Sequence, residues 1–275
     1  MIGLGSNRLT VCRRGGMSVT QAGRGGMEWL AGGRLPSWAS PYSAQATAAL
    51  KAQFSAEQWA TIRDYGFSHP ALVPFINEDP MLVMSLIAGL GRRIITTDKN
   101  AYIDTGVKAT SNTDCEIDFS GLVNVSGSEH ILFGARNGSW SANYGINGNS
   151  LGRNGIYAYY NYDGSTGISL ITAAIFKLAK GKLYINGEER YSKTYNTFSF
   201  NLNIYIFGTN NGGTHQYAPV VEVARFKIWE SDTLSKELVP FKSATQGNGM
   251  LDLVTLTFHP KQGSGTLTIS ETPAS

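Results

Sequence analysis

Glu116 and Asp118 stand two positions apart in the run TDCEIDFSG over residues 113–121. Paired carboxyl groups are the equipment of a glycoside hydrolase, where one protonates the leaving oxygen and the other attacks or activates water. The run alternates apolar and polar residues and reads as a strand with Cys115, Ile117 and Phe119 on one face. Asp114, Glu116, Asp118 and Ser120 then share the opposite, outward face. An acidic outward face also discourages edge pairing without any chemistry.

A second constellation is aromatic. GIYAYYNYDG over 155–164 carries Tyr157, Tyr159, Tyr160 and Tyr162, and RNGSWSANYG over 136–145 adds Trp140 and Tyr144. Aromatic rings stack on the apolar faces of sugars while nearby Asn and Arg hydrogen-bond hydroxyls. The candidate glycan-binding residues are therefore Trp140, Tyr144, Arg153, Tyr160 and Tyr162. Alternation assigns one set of tyrosines to the core instead.

Other chemistries find less support. His69, His130, His215 and His259 are dispersed without the spacing of a zinc site. Asp104, Asp163 and Asp252 are candidate calcium ligands, but no compact acidic loop joins them to supply six to eight oxygens. The expectation is no catalytic residue, no metal site and no cofactor, with calcium as the one ion worth testing. Glycine-rich stretches lack the Lys-Ser/Thr of a phosphate loop, and no serine nucleophile elbow is present. Cys12 and Cys115 are expected to be free thiols.

The elements that must hold these residues fall in three parts. Residues 1–42 contain three Gly-Gly pairs and no regular period, and read as an extended arm. Trp29, Leu30, Leu35 and Trp38 make that arm apolar enough to pack on a partner or another copy. Residues 43–97 read as a short helical anchoring module. Ser43 caps one helix, and Ser55 with Gln58 has the spacing of a capping box before AEQWATIRDYGF, with Phe54, Trp59 and Ile62 on one face. His69 before Pro70 ends that helix, and MLVMSLIAGL over 81–90 reads as a buried helix too short to cross a bilayer.

Residues 98–275 change to short β-branched and aromatic runs divided by Gly, Asn and Asp, the pattern of an antiparallel sandwich or jelly roll. Asn186-Gly187 marks a tight hairpin, and Asn147-Gly148, Asp163-Gly164 and Asn211-Gly212 mark further turns. Residues 1–97 hold nine Lys/Arg against five Asp/Glu, and the remainder holds fourteen against fifteen. So weak and scattered a basic excess gives no reason to expect nucleic acid. The first thirty residues show no sustained apolar stretch of a secretory signal.

In order along the chain, AYIDTGV (101–107), ILFGAR (131–136), KLYINGEE (182–189), IYIFGTNNGG (204–213) and VARFKIWESDTLSKELVPF (223–241) form a recognisable series. GNGMLDLVTLTFHPKQGSGTL (247–267) closes it with a Gly-x-x-Asp, an aromatic strand and a Gly-x-Gly turn. This series resembles the LamG-like members of the concanavalin A-like lectin and glucanase superfamily. The resemblance implies a mainly β, two-sheet jelly-roll sandwich that binds glycans or protein surfaces, of the kind found on gut Bacteroidetes and in structural proteins of their phages. The related glucanases carry a further glutamate after Glu-x-Asp, at about residue 120 or 121, where this chain has Ser120 and Gly121. That departure argues against hydrolysis.

The combined expectation is a phage virion structural protein, a capsid or tail decoration or fibre-like component. Its arm would bind other virion proteins and copies of itself, and its sandwich would touch a host glycan, with no membrane insertion. A bacterial cell-surface carbohydrate-binding protein is the alternative, and a glycoside hydrolase a more distant one. Deleting residues 1–42 is expected to abolish incorporation into particles, scored by the protein content of purified virions.

Overall fold

The computed structural model describes residues 52–123, 130–138, 143–148, 155–161 and 164–273. The arm, with Trp29, Leu30, Leu35 and Trp38, lies outside the described residues, as does the helix expected after Ser43. The chain divides into two units, Met1–Arg92 with Glu271–Ser275, and Arg93–Ser270.

In the first unit, α1 spans Ala56–Ser68. Ser55 caps it through the Gln58 amide, and the Gln58 side chain returns the bond to Ser55 N–H, so two otherwise unpaired donors are satisfied. Phe54, Trp59 and Ile62 are all buried. His69 closes the helix by donating its N–H to Tyr65 O, and its ring stacks on Tyr65 at 4.0 Å. Prolines then divide the chain into short pieces, among them α2 (Val73–Glu78) and α3 (Val83–Leu86). The single buried helix expected over 81–90 does not form. A 3-10 turn takes Pro80–Leu82, and Ile87 turns extended at φ −118° directly after α3.

β1 (Gly91–Thr97) pairs through Ile95 and Thr96 with Val223 and Glu222. It belongs with the strands, so the boundary expected at residue 98 falls too late. The alternation that identifies a strand starts inside RRIITT, where Arg93, Ile95 and Thr97 are buried.

Seventeen further strands follow among the described residues. They are β2 (Tyr102–Thr110), β3 (Thr113–Ser120), β4 (Ile131–Arg136), β5 (Asn143–Asn147), β6 (Ile156–Tyr160) and β7 (Ser165–Ile168). Next come β8 (Ala174–Ala179), β9 (Lys182–Ile185), β10 (Glu188–Ser192), β11 (Ser199–Ile206), β12 (Thr209–Asn211) and β13 (Thr214–Gln216). The last are β14 (Glu222–Glu230), β15 (Thr233–Ser243), β16 (Gly247–Asp252), β17 (Thr257–Gln262) and β18 (Leu267–Pro273).

Pairing sorts most of them into two antiparallel sheets. One runs β10-β9-β8-β3-β14-β15-β16-β17. The other runs β17-β2-β11-β4-β5-β6-β7, with β12 lying parallel to β4. Strand β17 pairs in both and joins the sheets along one side. The protein is a mainly β sandwich, as the alternating runs predict.

The core lies between the sheets. Cys115, Ile117, Phe119, Phe176, Leu178, Phe226 and Ile228 of the first meet Leu132, Phe133, Ala135, Tyr144, Ile146, Tyr160, Ile204 and Ile206 of the second in one buried cluster. Phe133 and Phe226 meet edge to face at 5.0 Å. Truncating a buried phenylalanine removes its transfer energy and leaves a cavity. Phe226→Ala is expected to lower unfolding free energy by about 3–5 kcal/mol in urea titration.

Candidate functional site

Because β3 turns Cys115, Ile117 and Phe119 into the core, Asp114, Glu116 and Asp118 project from the opposite side, as the alternation requires. Neighbouring strands add to the same face. Antiparallel register sets Lys227 of β14 beside Glu116, Glu116 beside Lys177 of β8, and Lys177 beside Tyr184 of β9. One row along, Trp229 is the register partner of Asp114. Side chains directly opposite in such a ladder share a face and touch.

Within this face is a cavity of about 500 Å³ lined by Asp114, Glu116, Ile175, Lys177, Ala179, Lys180, Lys182, Tyr184 and Gly187. Two tight turns build its rim. Lys180 and Gly181 join β8 to β9 with φ of 48° and 76°, and Asn186 and Gly187 join β9 to β10 with φ of 51° and 88°. Two consecutive positive φ values make the hairpin turn whose twist matches the strands. The second turn is pinned where Ile175 N donates to Asn186 Oδ1 at 2.9 Å and Asn186 N donates to Ile175 O at 2.8 Å. The first is pinned where Lys180 N donates to Asp114 Oδ1 at 3.2 Å. A Cβ on Gly181 would lie 2.5 Å from Lys193 O, so glycine lets the segment after β10 rest on the turn.

Most charges around the cavity are matched. Lys180 pairs with Asp232 at 2.6 Å, Lys182 with Glu189 at 2.7 Å, and Lys227 with Glu116 at 3.3 Å and Glu237 at 3.8 Å. Lys177 Nζ instead lies 4.1 Å from the Trp229 ring centroid, within cation–π range. Asp114 is only 6 % exposed. Burial pushes its carboxyl above the usual range, opposed by the charges of Lys180 and Lys177. The resulting wall offers carboxylate acceptors, ammonium donors and the apolar surfaces of Tyr184 and Ile175 at close quarters.

The carboxylates at the cavity are thus Asp114 and Glu116, whereas the sequence spacing singled out Glu116 and Asp118. Asp118 lies beyond the lining, with Ile175 and Arg225 as its register partners. Tyr144 and Tyr160 are corrections to the glycan-binding set. Both are buried, at 1 % and 0 % exposure, and no sugar can stack on either. Their hydroxyls donate to Thr113 O and Ser111 O, so each spans the core to a backbone carbonyl at the edge of β3. Burial drives both phenols upward, with the Asp114 charge adding to the effect. Trp140, Arg153 and Tyr162 lie outside the described residues.

Of the calcium candidates, Asp252 accepts from Glu237 N, Val254 N, Lys236 Nζ and Thr255 Oγ1, and Asp104 accepts from Gly106 N and Asn203 Nδ2. Both carboxylates serve internal bonds, and Asp163 lies outside the described residues. No group of three metal-ligating side chains occurs among the described residues. Of the histidines, His215 stacks on Tyr102 at 4.4 Å and His259 Nδ1 lies 3.0 Å from Asp104 O. Burial pushes both imidazoles below their ordinary value. Asp114, Lys177, Tyr184 and Trp229 escaped the sequence reading as a site, because their proximity depends on strand order. The alternating IFKLAKGKLYI over 175–185 was the available signal: it places Lys177, Lys182 and Tyr184 on one face of a hairpin.

No family model matches the chain. No curated protein matches it either. Among solved structures, the chain is similar to a candidate carbohydrate binding protein from Bacteroides ovatus, at 13% identity with a TM-score of 0.46. The match covers 68% of this chain and 62% of that one, less than two thirds of its length.

Asp114 carries a stability consequence. Its raised folded-state value means the ionised form is disfavoured in the fold, a cost present at neutral pH and gone below the unfolded value of about 3.9. Asp114→Asn is expected to raise the melting temperature at pH 7, with the gain shrinking towards pH 3.5. Calorimetric scans of both proteins across that range measure it.

Proposed function

We propose that the protein is a carbohydrate-binding module and that the cavity on the β3, β8 and β9 face holds the sugar. The observation that carries this reading is the cavity's composition: acceptors and donors interleaved beside apolar surface, with most charges already paired inside the protein. Such a wall exerts little net field, and suits a ligand with many hydroxyl groups better than a polyanion such as nucleic acid. A volume of about 500 Å³ accommodates one or two sugar rings. Tyr184 and Ile175, the latter 42% exposed, would meet the C–H face of a ring while Asp114 and Glu116 accept from its hydroxyls. The ordered pieces that resemble LamG-like sequences fall on strands of this sandwich, which supports the same reading.

Binding without hydrolysis is the form we favour. Asp114 and Glu116 project from one face of one strand, and Glu116 is held by Lys227. Glycoside hydrolysis needs two carboxyl groups on opposite sides of the scissile bond. A virion carrying the chain by residues 1–42 and a bacterial cell surface would both use such a module, and the cavity bears on the binding they share.

A glycan array probed with the full chain, followed by calorimetry on the best ligand and a reducing-sugar assay, tests the reading. Binding with no sugar release is expected, weakened about tenfold by Tyr184→Ala through lost ring contact. An array without a single bound glycan would sink it.

A further inference from the structure

Four lysines stand on or beside the cavity, and three have carboxylate partners. Lys180 is held by Asp232, Lys182 by Glu189, and Lys227 by Glu116 and Glu237. Lys177 differs. It lines the cavity, yet among the described residues it takes no ion-pair partner, and its ammonium is steadied by the Trp229 ring at 4.1 Å. An indole face orients a cation without neutralising it, since a ring quadrupole carries no net charge and leaves the ammonium's N–H donors to other acceptors.

The rest of the lining limits what that ammonium can receive. Asp114 and Glu116 stand close by, so a dense polyanion meets repulsion, whereas one carboxylate on an otherwise hydroxylated ring can reach Lys177 and leave its hydroxyls to the two acids. The pairing of Glu116 with Lys227 lowers the repulsion such a carboxylate would meet.

We propose that the sugar taken by this cavity is a uronic acid residue, with its carboxylate on Lys177. This rests on the carbohydrate-binding reading above and narrows its ligand class. Trp229 is then a positioning residue, acting through Lys177 and not by stacking on the ligand.

The test compares a tri-galacturonate with its methyl ester, which keeps the ring and removes the charge, by calorimetry on the full chain. Neutral gluco-oligosaccharides and a sulfated oligosaccharide form two further arms. The expected result is at least roughly tenfold tighter binding of the acid than of the ester, from one charge-assisted contact. Lys177→Gln should erase that difference and Lys177→Arg should keep most of it. The acid and ester arms use the unaltered protein, so the comparison stands even if a variant fails to fold. Equal affinity for acid and ester, or binding confined to neutral or sulfated sugars, overturns the uronate assignment and leaves the carbohydrate reading standing. Failure of all four probes and of the glycan array together removes both.

Discussion

The two-residue period of β3 is the constraint on which the structure turns. Cys115, Ile117 and Phe119 must enter the core between the sheets, and the pleat then leaves Asp114, Glu116 and Asp118 no direction but outward. Because β3 lies between β8 and β14, that outward row is extended on both sides by the outward residues of its neighbours. A slip of one residue in β3 would bury three carboxylates and expose Cys115, Ile117 and Phe119. The same packing that stabilises the sandwich therefore fixes the composition of the cavity face.

Much of this was legible in the sequence, for reasons that are local. The capping box at Ser55 and Gln58 and the Asn186-Gly187 hairpin are short-range devices whose geometry follows from residue type. Alternation alone separated the inward from the outward residues of β3. The Lys180-Gly181 and Ser231-Asp232 turns were harder, since three of those four residues adopt positive φ without being glycine, and cross-strand pairing imposes that conformation. Pro240 inside β15 similarly looks like a strand breaker. Pairing to β14 ends at Leu238, so the missing N–H removes no bond on that side.

The candidate site was less legible because it is made by non-local register. Tyr144 and Tyr160 read as a sugar platform in sequence, yet a tyrosine whose hydroxyl finds a backbone carbonyl is as much at home in a core. Alternation gives the two sides of a strand but not which strands adjoin. The neighbours of Glu116 come from positions some sixty and more than a hundred residues later, Lys177 and Lys227. Only the order β9-β8-β3-β14 brings tyrosine, lysine and carboxylate into one row and sets Trp229 beside Asp114 in the next.

The cavity's rim consists of two-residue turns pinned to the strands beneath them. Such turns have almost no slack, so they cannot swing over a ligand as a lid does. Arrival and departure are then ungated: encounter is limited by diffusion and orientation, and residence time is set by the contacts alone. A sugar held there as proposed would leave at a rate set by those contacts alone. Lasting attachment to a surface would then come from many copies letting go and rebinding in turn, and lateral searching along a polysaccharide would follow from the stiffness of the turns.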